Sequence, residues 1–273
     1  MTVNTMTLSR VTSRLRTRSR IATVRLYLSL RWHLGGGPFF VDYGCVRLPF
    51  SGDGDRQELY YHTEGKKWWQ SESDLMSPYV HPGDVALDVG ANLGFMSGIL
   101  SNLTGATGQV YSFEPSPQTY TKLLETVRVN NYSNVTTYNM GCGLSEQTMT
   151  LYCPQTSGNA SLHPSAAMQK LDLKQQTVRV IKLDDFLAQK LDRLNFIKID
   201  TEGFELEVLS GAVELIQRFK PVIYIELGSL YPASSEKAVS LLRDLGYTFD
   251  REPGIEESSS GENFFALPPG WRG

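Results

Sequence analysis

The segment DVGANLG (88–94) has the glycine spacing of a ligand-binding turn and directly follows an apolar run. Glycines let a backbone approach a ligand closely, and the start of the next helix offers unpaired N–H groups. A dinucleotide would place its pyrophosphate there, but G-x-G-x-x-G is absent because position 92 is Asn. Asp88 would repel a pyrophosphate and attract the cationic amino-acid part of S-adenosylmethionine, so the turn favours that cofactor over NAD.

A second acidic residue, Glu114, ends the next apolar run, 24 residues after Gly90. In open α/β folds an acid at this position can hydrogen-bond both hydroxyls of a ribose. Together with the glycine-rich turn, Glu114 predicts a nucleoside-containing cofactor lying across the ends of two neighbouring strands.

Three further acids, Asp200, Glu202 and Glu226, stand at or just beyond the ends of later strand-like runs. Because parallel strands end at one sheet edge, these acids are expected beside the methyl donor. Methyl transfer to a hydroxyl needs alignment and a group that takes the proton. Asp200 or Glu202 is a candidate base, or Asp200 and Glu226 hold Mg²⁺; Glu202 as a helix cap is the structural alternative. Our hypothesis is that Asp200 acts directly.

Two other residues are candidate acceptor contacts. His163 lies in a polar segment and is a candidate base, although a loop histidine is more often merely exposed. Trp68 is a candidate to stack on a sugar ring, or to pack under a hairpin. The loop from Ser157 to Gln176 is the predicted cover of the acceptor site.

Alternating strands and helices must position these residues, which predicts an α/β fold with a mostly parallel, doubly wound sheet. TMTLYCP (148–154) and TVRVIKL (177–183) are predicted to form a hairpin that interrupts the alternation. YTFDREPG and ENFFALP are predicted to form an antiparallel strand pair that closes the sheet. The other predicted strands are 85–90, 109–115, 135–141, 195–200 and 222–227, and the predicted helices are 93–103, 117–131 and 204–219.

Three regions are predicted: a basic arm with an amphipathic helix (1–34), a hairpin and helix extension (35–80), and the main domain (81–273) with its lid insertion (148–183). The arm carries seven arginines and no acid through Val41, whereas the rest of the chain, with 19 basic and 29 acidic residues, carries −10. An acidic body disfavours nonspecific nucleic-acid binding, while the arm is a candidate for peripheral membrane contact. Three cysteines without a CxxC pair fit a reducing cytoplasm.

From about Tyr79 to Pro268 the chain resembles the FkbM family of methyltransferases. The motifs that carry the resemblance are DVGANLGFMS (88–97), FEPSP (113–117), KLDDFL (182–187), IKIDTEGFELEVLSGA (197–212) and PVIYIEL (221–227). The resemblance implies a Rossmann-like class I methyltransferase fold and a cytoplasmic enzyme that methylates hydroxyls of sugars, lipids or secondary metabolites. A carboxyl methyltransferase is the alternative that the family also contains.

The resemblance also implies which residues bind the cofactor. Adenine is expected near Asn139 and Met140, at the end of the third strand. The remaining cofactor contacts are expected at Asp88, Gly90, Ala91, Asn92, Gly94, Glu114 and Pro115.

Three other classes of protein compete with this interpretation. The residue types at 88 and 92 disfavour an NAD-dependent oxidoreductase. A nucleic-acid methyltransferase would carry an N/D-P-P-Y type motif after the fourth strand, and IKIDTEG has none. A non-catalytic adaptor with this fold is disfavoured because the acids at the cofactor end are all present.

Overall fold

The computed structural model describes residues 39–43, 46–50, 71–154, 160–166, 168–228, 230–251 and 262–272. The basic arm, most of the 35–80 extension, Trp68 and part of the predicted cover lie outside these residues, so membrane contact through the arm stays a prediction. Within the described residues, no helix combines the length and the apolar character needed to cross a bilayer.

The central element is a seven-stranded sheet. Its strands are β3 (Val85–Val89), β4 (Gln109–Phe113), β5 (Val135–Tyr138), β9 (Phe196–Ile199), β10 (Val222–Leu227), β11 (Thr248–Phe249) and β12 (Glu262–Leu267). They lie in the order β11-β12-β10-β9-β3-β4-β5. Strands β10, β9, β3, β4 and β5 run parallel, and β12 closes the sheet antiparallel to β10 and β11. The predicted doubly wound sheet with its closing pair is therefore confirmed.

Helices cover both faces of this sheet, because successive side chains of a strand point to opposite sides. On one face Ala86 and Phe196 pack with the first helix, whose Phe95 and Ile99 are buried. On the other face Leu87 packs with residues of the later helices. Residues 71–76 are helical, and the helices after them are α1 (Phe95–Thr104), α2 (Pro117–Asn130), α3 (Leu183–Leu187), α4 (Glu205–Ser210), α5 (Val213–Phe219) and α6 (Pro232–Asp244).

The inserted hairpin is also confirmed. Strands β7 (Gln147–Pro154) and β8 (Leu173–Ile181) pair antiparallel over eight residue pairs. The two residues of β6 (Gly141–Cys142) pair parallel with β8, so the predicted third strand, 135–141, ends early and its last residue joins this second sheet. The insertion is thus tied into the domain at its base.

The amino-terminal hairpin pairs β1 (Phe39–Tyr43) with β2 (Val46–Phe50), and Tyr43 lies opposite Val46. Positions 44 and 45, between the two strands, lie outside the described residues. The hairpin falls within the region predicted as a hairpin and helix extension (35–80).

Two helices differ from the sequence expectation. The single helix predicted over 204–219 is wrong, because it divides into α4 and α5 at Gly211, where a Cβ would lie 2.0 Å from the carbonyl oxygen of Gly143. The first turn of α5 is capped by a side chain of α3, because Asp184 accepts from the backbone N–H groups of Glu214 and Leu215. Helix α6 was not assigned from the sequence.

Candidate active site

The glycine-rich turn packs backbone to backbone against the end of β9. Gly90 has a φ of +78°, and a Cβ there would lie 1.8 Å from the carbonyl oxygen of Asp200. The amide of Asp200 also donates to the carbonyl of Val89 at 3.2 Å. Glycine is required at position 90 for the two loops to meet, so the predicted cofactor turn and the predicted base are direct neighbours.

Glu114 lies just beyond β4 and holds the turn rather than pointing into open solvent. One carboxylate oxygen accepts from the amide of Asn92 at 2.9 Å and the other from the amide of Ser116 at 2.8 Å. Burial raises the pKa of Glu114 to about 7, against the lowering effect of these two hydrogen bonds. Each oxygen keeps a second lone pair for a hydroxyl donor, so ribose binding stays a prediction.

Asp88 lies beneath the turn, fully buried, where its charge already has a protein partner. Lys198 Nζ stands 3.5 Å from one oxygen, and Ser97 donates to the other at 2.6 Å. Our argument that Asp88 attracts the amino group of the cofactor did not anticipate this. In this conformation Asp88 supports the turn from below, and direct contact with a cofactor stays a prediction.

Lys198 is the site residue that the sequence interpretation missed. It is 4% exposed, and its ammonium group donates to the carbonyl of Gly90 at 2.9 Å and lies 3.4 Å from a carboxylate oxygen of Asp200. A buried ammonium group needs such partners, because burial without them strongly disfavours the charged form. The available signal was a lysine inside the apolar run FIKI, a position that interior strands rarely tolerate.

The other predicted cofactor residues surround the same edge. Ala91 is buried, and Asn92 has a φ of +51°. Asn139 donates from Nδ2 to the carbonyls of Glu114 and Pro115, at 2.9 and 3.1 Å. This gives Asn139 a role in fixing the end of β4.

Two predicted cofactor residues pack beside the others. A Cβ on Gly94 would lie 2.7 Å from Leu123 Cδ1, so this glycine lets α1 approach α2. Met140 packs against the core. Adenine binding at Asn139 and Met140 stays a prediction.

The three predicted catalytic acids come together. Carboxylate oxygens of Asp200, Glu202 and Glu226 all lie within 4.8 Å of one another at the ends of β9 and β10. Asp200 is only partly buried; desolvation alone would raise its pKa, but Lys198 and a hydrogen bond with Glu226 outweigh this effect and lower that pKa. Burial, followed by the charge of Asp200, raises the pKa of Glu226 to about 9. At neutral pH, therefore, Asp200 is an anion and Glu226 holds a proton.

Glu202 reaches this cluster from a left-handed turn. It has a φ of +56°, followed by Gly203 at +104°, and a left-handed backbone costs a non-glycine residue roughly 1–2 kcal/mol. The structural alternative for Glu202 was a helix cap, but α4 has no side-chain cap at Phe204, and Glu205 instead fixes the loop before the helix. Its Oε1 accepts from the amides of Thr201 and Gly203 and from the Thr201 hydroxyl. The side chain of Glu202 is left to the carboxylate cluster.

His163 is placed at the rim of the site. Its side chain is 56% exposed, and its Nδ1 stands 3.9 Å from a Glu207 oxygen. Its ring packs edge to face with the Phe204 ring, and the two ring centroids are 5.3 Å apart. This position beside the turn of Glu202 keeps His163 as a candidate acceptor contact. Trp68, the other candidate, lies outside the described residues.

The carboxylate cluster fits Mg²⁺ poorly, although its oxygens are of the type that this ion prefers. Lys198 already brings a positive charge within 3.4 Å of a carboxylate oxygen of Asp200. A dication held by Asp200 would have to stand close to this ammonium group. The residues present favour a hydrogen-bonded acid pair over a metal site.

Comparison with known proteins identifies the domain. A family model described as the methyltransferase FkbM domain matches residues 88–249, more than half of the chain. "Methyltransferase 1" of Beauveria bassiana is 30% identical over 142 residues, covering 46% of this chain and 57% of the fungal protein. The hexuronic acid methyltransferase AglP of Haloferax volcanii is 30% identical over 146 residues, covering 51% and 54%.

A third relative matches over more of its own length. The 31-O-demethyl-FK506 methyltransferase FkbM of Streptomyces tacrolimicus is 27% identical over 201 residues, covering 62% of this chain and 74% of that protein. The chain thus spans little more than half the length of the first two relatives, and about three quarters of the third.

Proposed function

Because the chain belongs to the FkbM methyltransferase family, we propose that it transfers a methyl group from S-adenosylmethionine to a hydroxyl oxygen. The proposed acceptor is a glycan, a glycolipid or a secondary metabolite. The observation that carries the proposal is the anionic Asp200, held by Lys198 against the glycine-rich turn and beside a protonated Glu226.

For methyl transfer the protein has to align the acceptor hydroxyl with the methyl group and to accept the proton of that hydroxyl. When bound, S-adenosylmethionine supplies an electrophilic methyl group on a sulfonium centre. Methyl transfer would form a C–O bond to the acceptor and break the C–S bond, whose electron pair would stay on sulfur. Asp200 takes the hydroxyl proton, and Glu226 stabilises Asp200 with its hydrogen bond.

The charge of the cluster supports a hydroxyl acceptor over the carboxyl alternative. An acceptor carboxylate has no proton to lose and would meet the anion of Asp200 at close range. Two like charges about 4 Å apart repel each other by several kcal/mol at an effective dielectric constant near 20. The printed name of one relative refers to an O-demethyl acceptor, which supports a hydroxyl; that of another refers to a hexuronic acid, which offers both hydroxyls and a carboxyl group.

We expect methyl transfer to be independent of a divalent cation. The ammonium group of Lys198, 3.4 Å from Asp200, supplies the positive charge that a metal ion would otherwise bring. Incubation with excess EDTA, followed by a rate measurement, is expected to change the rate by less than about twofold. A rate that collapses with EDTA and returns on adding Mg²⁺ would show that the carboxylates hold the ion.

The cofactor and the acceptor class can be tested in one sequence of measurements. Isothermal titration is expected to show binding of S-adenosylmethionine and none of NAD⁺. Mass spectrometry should then find a gain of one methyl group on methyl β-D-glucopyranoside, or on another neutral polyol, in preference to methyl β-D-glucuronoside. Binding of NAD⁺ alone would overturn the cofactor, and methyl esters as the main product would favour the carboxyl alternative.

A further inference from the structure

Residues 160–166, which we call the strap, lie against the turn that carries Glu202. Ser161 is 1% exposed, and its hydroxyl donates to the carbonyl of Glu202 at 2.8 Å. The backbone of Ser161 pairs in both directions with Tyr152 of β7, at 2.9 and 3.0 Å. The strap is therefore fixed on one side to the inserted hairpin and on the other to the catalytic turn.

Tyr231, just before α6, joins the same two parts of the molecule from the opposite side. Its hydroxyl donates to the carbonyl of His163 at 2.7 Å. Its ring covers Gly203, where a Cβ would lie 2.4 Å from the ring carbons. No side chain therefore fits at position 203 while Tyr231 keeps this place, and the ring packs directly on the residue after Glu202.

We propose that Tyr231 is a positioning residue that holds the strap as the acceptor-side wall of the active site. The inference rests on the proposed function, because the wall has a purpose only beside a reacting acceptor. Ser161 and Tyr231 bind the strap to the two residues of the left-handed turn, Glu202 and Gly203. His163, on the strap, is thereby held beside Phe204, the residue after this turn.

This arrangement separates acceptor binding from the chemistry. Asp200 is oriented by Lys198 and by the backbone of Val89, none of which touches Tyr231 in the contacts described above. A more mobile strap should therefore weaken acceptor binding, while the positions of Asp200 and of the glycine-rich turn stay unchanged. Such a residue changes the KM for the acceptor more than kcat.

The matched variants Tyr231→Phe and Tyr247→Phe test the first step. Tyr247 is buried, and its hydroxyl donates to the carbonyl of Pro221 at 2.9 Å, so both variants lose one tyrosine-to-backbone hydrogen bond. Hydrogen exchange, with S-adenosylhomocysteine present, should speed up about 2- to 10-fold at the Ser161 amide in Tyr231→Phe only. Equal exchange at this amide in wild type and Tyr231→Phe would overturn the proposal.

Kinetics test the second step, with whichever of the two methyl glycosides the wild-type protein methylates. Tyr231→Phe is expected to raise the KM for that glycoside at least threefold with kcat within twofold, and Tyr247→Phe to change neither. A fall in kcat with unchanged KM would overturn the positioning role. If the wild type methylates neither glycoside, the exchange measurement alone decides whether Tyr231 holds the strap.

Discussion

Replacing Asp200 by asparagine is expected to lower the methyl-transfer rate by about 10²- to 10⁴-fold, the usual contribution of a positioned general base. The amide keeps the shape of the side chain and accepts from Lys198, but it cannot take the proton of the acceptor. Affinity for S-adenosylmethionine, measured by calorimetry, should stay within a few-fold. Near-normal turnover with intact cofactor binding would show that Asp200 is not the base.

Glu226→Gln is the matched control, because it also replaces a carboxyl group by an amide in the same cluster. Glu226 already holds a proton at neutral pH, so the amide imitates the form that the enzyme uses and still donates to Asp200. The rate should remain within about tenfold of wild type. A loss as large as that of Asp200→Asn would mean that Glu226, and not Asp200, accepts the proton.

The same variant has a stability signature that does not depend on any acceptor. The folded state raises the pKa of Glu226 from an ordinary 4.5 to about 9, so the folded protein binds a proton that the unfolded chain releases. Wild-type stability from this group is full below pH 4.5 and is lost as the pH rises toward 9. Thermal denaturation should therefore show Glu226→Gln gaining stability over wild type between pH 4 and pH 8.

The sequence predicted which acidic residues at the ends of the strands come together in the site. Asp200 and Glu226 were expected to meet because parallel strands finish at one edge, and their oxygens do meet. The alternation of strands and helices was enough to predict a mostly parallel sheet, although it did not give the order of the strands. Local residue types thus predict which groups gather, because the backbone direction alone brings them to the same place.

Partners from distant parts of the chain were not predictable in the same way. Asp88 was expected to face a ligand, but its carboxylate forms an ion pair with Lys198, which lies 110 residues later in the chain. Glu202 was considered as a helix cap, but α4 has no side-chain cap, and Glu205 accepts from two amides of the loop that precedes it. The break between α4 and α5 depends on a glycine of another loop. Each depends on side-chain direction and packing, which spacing does not reveal.

Lys198→Met is expected to lower the free energy of unfolding by about 3–5 kcal/mol, the usual cost of removing one partner from a buried ion pair. Asp88 is fully buried, and without the ammonium group its negative charge would have no nearby cation among the contacts described. Asp200 is less affected, since its side chain is 37% exposed and water can solvate it. Chemical denaturation of the apoprotein measures the loss.

The double variant Asp88→Asn/Lys198→Met separates the two tasks of this lysine. The asparagine keeps the hydrogen bond from Ser97 and carries no charge, so most of the lost stability should return. The rate should not return with it, because Asp200 still lacks the ammonium group that orients it and favours its anion. A double variant as unstable as Lys198→Met would show that the methylene stem or the bond to Gly90 matters more than the charge. A double variant with full activity would show that Asp200 needs no cation, and the buried lysine would then serve the fold alone.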